Sequence, residues 1–147
     1  TNIRNGLDFV THHIVRSNND NDLAIYQIAI DQWNNGKRLN YAELPKRLIK
    51  HSNTDSFVNR FKVVNGKGVS HTVVAHIAMD GHYYIHPDKK QNRSISVREA
   101  ARIQSFPDDY FFEGSRTAAF KQIGNAVPPL MAQKIAEKIR EMICKNI

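Results

Sequence analysis

Hydrophobic positions along the chain change period twice, and each change marks a different kind of structure. A polar run, Arg16 to Asp22, precedes Leu23-Ala24-Ile25-Tyr26-Gln27-Ile28-Ala29-Ile30-Asp31-Gln32-Trp33. Tyr26, Ile30 and Trp33 fall on one helical face with Leu23 a turn earlier, Asn or Asp can cap the start, and Gly36 can stop the helix. A shorter helix is expected over Pro45–Lys50, with Pro in the first turn. From Phe61 the period shortens. Phe61–Val64, a turn at Asn65–Gly68, Thr72–Ile77 and His82–His86 read as strands, Asp80-Gly81 as a hairpin, and Pro87 as the end of the last strand. The expected fold class is therefore α+β, with a small, mainly antiparallel sheet over about 57–87 and helices on either side.

Residues 93–147 return to helical spacing. Ser96-Val97-Arg98-Glu99 is a capping box and opens a helix expected to run from Val97 to Phe106, ahead of Pro107. Tyr110-Phe111-Phe112 forms an apolar wedge. Ser115 can cap a short helix through Ile123, with Gly124 as its stop. Pro128 and Pro129 open a final helix whose Met131, Ile135, Ile139, Met142 and Ile143 recur on one side. Arg98 and Arg102, four apart, share a face and can pair with Asp108 or Asp109, or reach phosphate.

Composition narrows the class. The 147 residues are 41% hydrophobic and 24% charged, which excludes a disordered or low-complexity chain. No apolar run approaches the ~18 residues of a membrane span, and no signal peptide is recognisable. The chain begins at Thr1 without a methionine, which leads to the expectation that it was cut from a longer protein. Net charge is +7 and uneven: residues 1–88 hold 10 basic against 8 acidic side chains, residues 89–147 hold 11 against 6. An anionic partner, with nucleic acid the commonest, is the first hypothesis, and a merely soluble basic domain the plainer one. The single Cys144 cannot form an internal disulfide and reads as a partly buried thiol in a reducing compartment. The seven histidines lack metal-ligand spacing, so no metal site is expected.

Two stretches carry more than helix grammar. Arg93-Ser94-Ile95-Ser96-Val97-Arg98-Glu99-Ala100-Ala101-Arg102-Ile103-Gln104-Ser105-Phe106-Pro107-Asp108 resembles the ninth motif of the C5-cytosine DNA methyltransferases. Lys121-Gln122-Ile123-Gly124-Asn125-Ala126-Val127-Pro128-Pro129 resembles their tenth, and the order and short gap, Asp109 to Phe120, also match. Thr72-Val73 followed by Asp80-Gly81 and Tyr84 is similar to the end of their target-recognition domain. Residues 1–56 carry no recognisable motif.

The family's reactive cysteine follows a proline, its Glu-Asn-Val assists at the base, and a glycine-rich turn holds S-adenosylmethionine. No Cys here follows Pro, no Glu precedes Asn, and no such turn is present. The resemblance thus implies a C-terminal portion: residues 1–92 a target-recognition, DNA-binding region, and 93–147 a motif IX/X helical region completing a catalytic domain absent from this sequence. It implies no catalytic residue on this chain, and a fragment inactive by itself.

The resemblance also assigns roles. Asn125, Ala126 and Val127 would form part of the wall of the S-adenosylmethionine site; the plainer reading is an ordinary loop after a glycine cap. Thr72 would approach the backbone of a flipped nucleotide in double-stranded DNA, or else is simply a β-branched strand residue. Arg60 and Lys62, on one strand face, and Lys67 at a turn tip would contact guanine or phosphate; a solvated charged face is the alternative. The last helix would lean on the missing N-terminal catalytic domain, and without it hide its apolar face by self-association or by folding back. A bacterial restriction–modification system, in the cytoplasm with the nucleoid, is the expected setting. A non-catalytic DNA-binding module and the specificity subunit of a split methyltransferase are the other readings.

Overall fold

The computed structural model describes residues 3, 4, 6, 8–52, 54, 56 and 58–145. Thr1 and Phe57, the expected start of the sheet, lie outside them. Four helices are present among the described residues: α1 (Asp20–Asn34), α2 (Val97–Ile103), α3 (Arg116–Asn125) and α4 (Pro129–Cys144). Three 3₁₀ turns, Tyr41–Glu43, Lys46–Leu48 and Ala75–Ala78, lie between the first two.

Local chemistry accounts for the helix ends. The Asn19 side chain accepts the Asp22 amide at 2.9 Å, and Gly36 takes φ +73° just past the end of α1. The expected helix from Pro45 shrinks to a single 3₁₀ turn. The capping box at α2 is complete, with Ser96 Oγ accepting from the Glu99 amide and Glu99 accepting from the Ser96 amide. Ser115 caps α3 through the Ala118 amide at 3.2 Å.

The expected antiparallel sheet is not formed. Among the described residues only two isolated bridges occur, Val63 parallel to Ile85 and Ile85 antiparallel to Ser94. The reason lies in where the backbone groups find partners. Lys62 donates to His82 and accepts from Ile85, Val64 donates to Ile85, and on the other side His86 donates to Arg93 and Ile95 to Tyr84, but neither pairing extends into a ladder. Over Thr72–Val74 a side chain replaces a neighbouring strand: Tyr84 Oη accepts the Val74 amide at 3.1 Å and donates to the Thr72 carbonyl at 3.2 Å. Asp80-Gly81 forms no hairpin either. Asp80 Oδ1 accepts the His82 amide and the Gly81 carbonyl accepts the Tyr84 amide, giving a local turn.

The period of two nevertheless has a physical counterpart. Val63 and Ile85 face one hydrophobic cluster, built on Ile25, Tyr26, Ile30, Tyr41 and Phe61. Their neighbours Val64 and Tyr84 face the other, built on Ile77, Val97, Phe112, Phe120 and Ile123. Extended segments alternate sides whether or not they hydrogen-bond into a ladder, and here they partition two cores.

Arg98 is wholly buried beneath the second cluster. Its guanidinium donates to the Thr11 carbonyl and hydroxyl and to the Pro107 and Tyr110 carbonyls, at 2.7–3.1 Å. The backbone around residue 11 is thereby pinned to α2, and Arg98 has no reach to phosphate. Arg102 makes a bidentate pair with Asp108 at 2.8 Å.

Gly124 does not stop α3. It lies inside the helix, at a position where a Cβ would sit 2.7 Å from the Val74 carbonyl oxygen and from the Ala75 Cα. Helix α4 does not fold back: none of its residues is buried, and Met131, Ile135, Ile139, Met142 and Ile143 remain 47–59% exposed. Cys144 is exposed as well, so the partly buried thiol is corrected. Among the described residues no helix is long and apolar enough to cross a membrane.

Candidate functional site

The segment resembling the tenth motif takes in the end of α3, the bend at residues 126–128 and the first residue of α4. Asn125 is exposed, Ala126 is the half-buried residue after α3, and Val127 is 59% exposed. The Asn125 side chain makes no hydrogen bond among the described residues, leaving a donor and an acceptor facing outward. A small residue and an apolar one beside that amide give a mixed surface suited to a ligand with polar and apolar parts.

The bend is held from α2. The Gln104 side chain, 7% exposed, donates to the Ile123 carbonyl at 3.1 Å and more weakly to the Ala126 carbonyl at 3.4 Å. Ser105 Oγ accepts the Leu130 amide at 3.2 Å in the first turn of α4. Neither residue stood out in the sequence. A polar pair in the Gln-Ser-Phe-Pro exit of a helix was the available signal.

Residues assigned to DNA contact lie apart from the bend along the chain and do not form one strand face. The Arg60 guanidinium sits 4.2 Å from the centre of the Tyr41 ring, and the Lys62 ammonium 4.8 Å from that of Tyr83. Arg60 lines a hollow of about 640 Å³ with Tyr41, His51 and Tyr83. Lys62 lines a different one of about 390 Å³ with Trp33, Lys37, Arg38 and His71. Phe61 is the wall shared by the two. Lys67 and Thr72 are exposed, and Val69 between them is 92% exposed. The exposed Lys37 and Arg38, just past the Gly36 stop, were missed in the sequence; they put two further cations beside Lys62.

Charge around the sites is set by burial and pairing. Burial lowers the His71 imidazole below its ordinary value, so it is neutral near pH 7. At the start of α2, burial acts to raise the Glu99 carboxyl, but hydrogen bonds from Arg93 and from the Ser96 amide outweigh it and hold the group at about 2. Arg93 contacts both Glu99 oxygens, at 2.7 and 2.8 Å. Among the described residues no group of three or more His, Cys, Asp or Glu is placed to hold a metal ion.

A family model, the C-5 cytosine-specific DNA methylase, matches residues 3–141. A type II methyltransferase of Bacillus paralicheniformis is 54% identical over 133 residues, which is 90% of this chain and 30% of that protein. A type II methyltransferase of Thalassovita gelatinovora is 46% identical over 99 residues, 67% of this chain and 23% of the relative. A DNA (cytosine-5)-methyltransferase of Oryza sativa shares 50% over 58 residues, 40% of this chain and 4% of its own length. The chain thus spans less than a third of these curated relatives, and no solved structure matches it. With the match running over nearly its whole length, the chain belongs to the C-5 cytosine-specific DNA methylase family.

Proposed function

We propose that this chain is the C-terminal portion of a type II DNA cytosine-5 methyltransferase, comprising target recognition and the closing motif IX/X helices. It would work with a catalytic region carrying the reactive thiol, in the cytoplasm and at the nucleoid of a bacterium with a restriction–modification system. The observation that carries the reading is the bend after α3, where Asn125 and Val127 are exposed, beside an amphipathic α4 whose Met131, Ile135, Ile139 and Ile143 are 47–57% exposed. Such a surface is what a helix and loop returning to another domain would present.

The donor set at the bend fits one wall of an S-adenosylmethionine site. Asn125 offers an amide to polar atoms of the cofactor, Ala126 permits close approach, and Val127 supplies apolar contact. When bound, that cofactor supplies the methyl group for C5 of a flipped cytosine. The residues of this chain bind and orient: Thr72 donates its hydroxyl to a phosphate oxygen, Lys62 and Lys67 neutralise phosphate, and Arg60 presents its guanidinium to a base edge or phosphate. The remaining walls and the reactive thiol come from the catalytic region.

The test is transfer of labelled methyl to duplex DNA by this chain alone and by the chain joined to a region bearing Pro-Cys and Glu-Asn-Val. Only the joined protein should transfer methyl. Alone, the chain should bind DNA with a Kd of roughly 10⁻⁴ to 10⁻⁶ M, weakening steeply with salt. Transfer by the chain alone overturns the reading.

A further inference from the structure

Resting on that reading, we propose that Gln104 and Ser105 are positioning residues that hold the cofactor-facing bend in shape. Through them the helix that follows the recognition region sets affinity for S-adenosylmethionine.

The exit of α2 is unusual in one residue. The Phe106 amide donates to the Ala101 carbonyl and the Ser105 amide to that of Arg102, at 2.9 Å each, so Ser105 occupies the left-handed position of a Schellman turn. Its φ is +60°. Glycine is the residue that takes this position without strain, and most other side chains disfavour it. A hydroxyl here has a use that glycine cannot meet. The N-cap position of α4 is Pro128, whose side chain cannot accept a hydrogen bond, so α4 has no side-chain cap of its own. Ser105 Oγ supplies one from 25 positions away, to the Leu130 amide.

Gln104, the preceding residue, grips the other end. Its buried amide donates to Ile123 in the last turn of α3 and to Ala126 in the bend. Two consecutive residues therefore hold both sides of the 126–128 bend, the last turn of α3 and the first of α4, and both belong to the exit of α2. The buried amide leaves Ile123 and Ala126 carbonyls satisfied only while the bend keeps this form. Loss of either contact would free Asn125 and Val127 from a fixed direction, and a wall that must be ordered on binding costs affinity.

The experiment uses the full-length protein, with S-adenosylhomocysteine affinity read by calorimetry, DNA affinity by fluorescence anisotropy, and thermal midpoint alongside. Ser105→Gly is the discriminating variant, because it suits the left-handed turn and removes only the cap. It should weaken S-adenosylhomocysteine about fivefold to tenfold, the loss of roughly one hydrogen bond's net contribution. DNA affinity should stay within about twofold and the midpoint should not fall, since glycine tolerates the turn. Gln104→Leu should weaken the same ligand by a similar factor, and Ser105→Asn, which tolerates the left-handed region and retains an acceptor, should restore most of it. If Ser105→Gly leaves S-adenosylhomocysteine affinity unchanged, or DNA and cofactor affinities fall together, the positioning role is overturned. Asn125→Ala separates the two levels of the argument. If it too leaves cofactor affinity unchanged, the assignment of the bend to the cofactor fails; if it alone weakens binding, only the role of Gln104 and Ser105 fails.

Discussion

Replacing Gly124 by alanine tests how α3 is seated against the 3₁₀ turn Ala75–Ala78. On helix propensity alone, Gly124→Ala inside α3 should stabilise the protein by up to about 1 kcal/mol. Packing opposes it. The added methyl would lie 2.7 Å from the Val74 carbonyl oxygen, 2.7 Å from the Ala75 Cα and 2.9 Å from the Ala75 nitrogen, against the 3.4 Å at which ordinary contact begins. All three neighbours are backbone, so no rotamer change relieves the clash, and the helix and the turn must separate by about 0.7 Å. Overpacking of this kind costs about 1–3 kcal/mol, with rigid backbone on both sides placing it at the upper end. The net expectation is a loss of about 2 kcal/mol, with a urea midpoint lower by about 1 M for a slope near 2 kcal/mol/M. Urea unfolding followed by circular dichroism measures it. A midpoint that rises would show that Gly124 is a propensity defect and that the close α3 contact is not a constraint.

Other side chains make equally definite demands. Arg98→Met should cost on the order of 3–5 kcal/mol in the same assay, because three carbonyls and the Thr11 hydroxyl lose the donor that a wholly buried guanidinium supplies; a cost under about 1 kcal/mol would contradict the role given to it. Glu99 is held at about 2 against an ordinary 4.5, so its contribution is complete above pH 4.5 and is lost as pH falls toward 2. Glu99→Gln should therefore lower stability by on the order of 2–3 kcal/mol at pH 7, and the gap to the parent should close across that acidic window. In DNA titrations over a range of salt, Lys62→Ala and Lys67→Ala should each flatten the slope of log K against log salt by about 0.9, the value for one lost phosphate contact; an unchanged slope removes the residue from the interface.

What the sequence disclosed was governed by local hydrogen bonding. Asn19, Ser96 and Ser115 each satisfy orphan amides a few residues away, so their helix starts can be read from residue types and spacing. Pro128 and Pro129 open α4 for a similarly local reason. The sheet was not legible because its decisive partner is a side chain: Tyr84 Oη takes the place of a neighbouring strand at Thr72 and Val74. The alternation that suggested strands reflects two cores on opposite sides of the chain around residues 63 and 85. Gly124 looked like a helix stop because its close neighbour, Ala75, is nearly fifty positions away. The candidate site divides along the same line. Asn125, Ala126 and Val127 came from the family resemblance and lie on the surface, while Gln104 and Ser105, which hold them, act through contacts 19–25 positions distant. Arg60 and Lys62 were expected on one face. Without a ladder to fix the pleat, they line different hollows.

Amide hydrogen exchange across the bend tests the central claim most directly. In the protein joined to its catalytic region, S-adenosylhomocysteine should slow exchange at the amides of residues 124–127 and leave those of α1 unchanged. Exchange at the bend that is indifferent to saturating cofactor would contradict the claim.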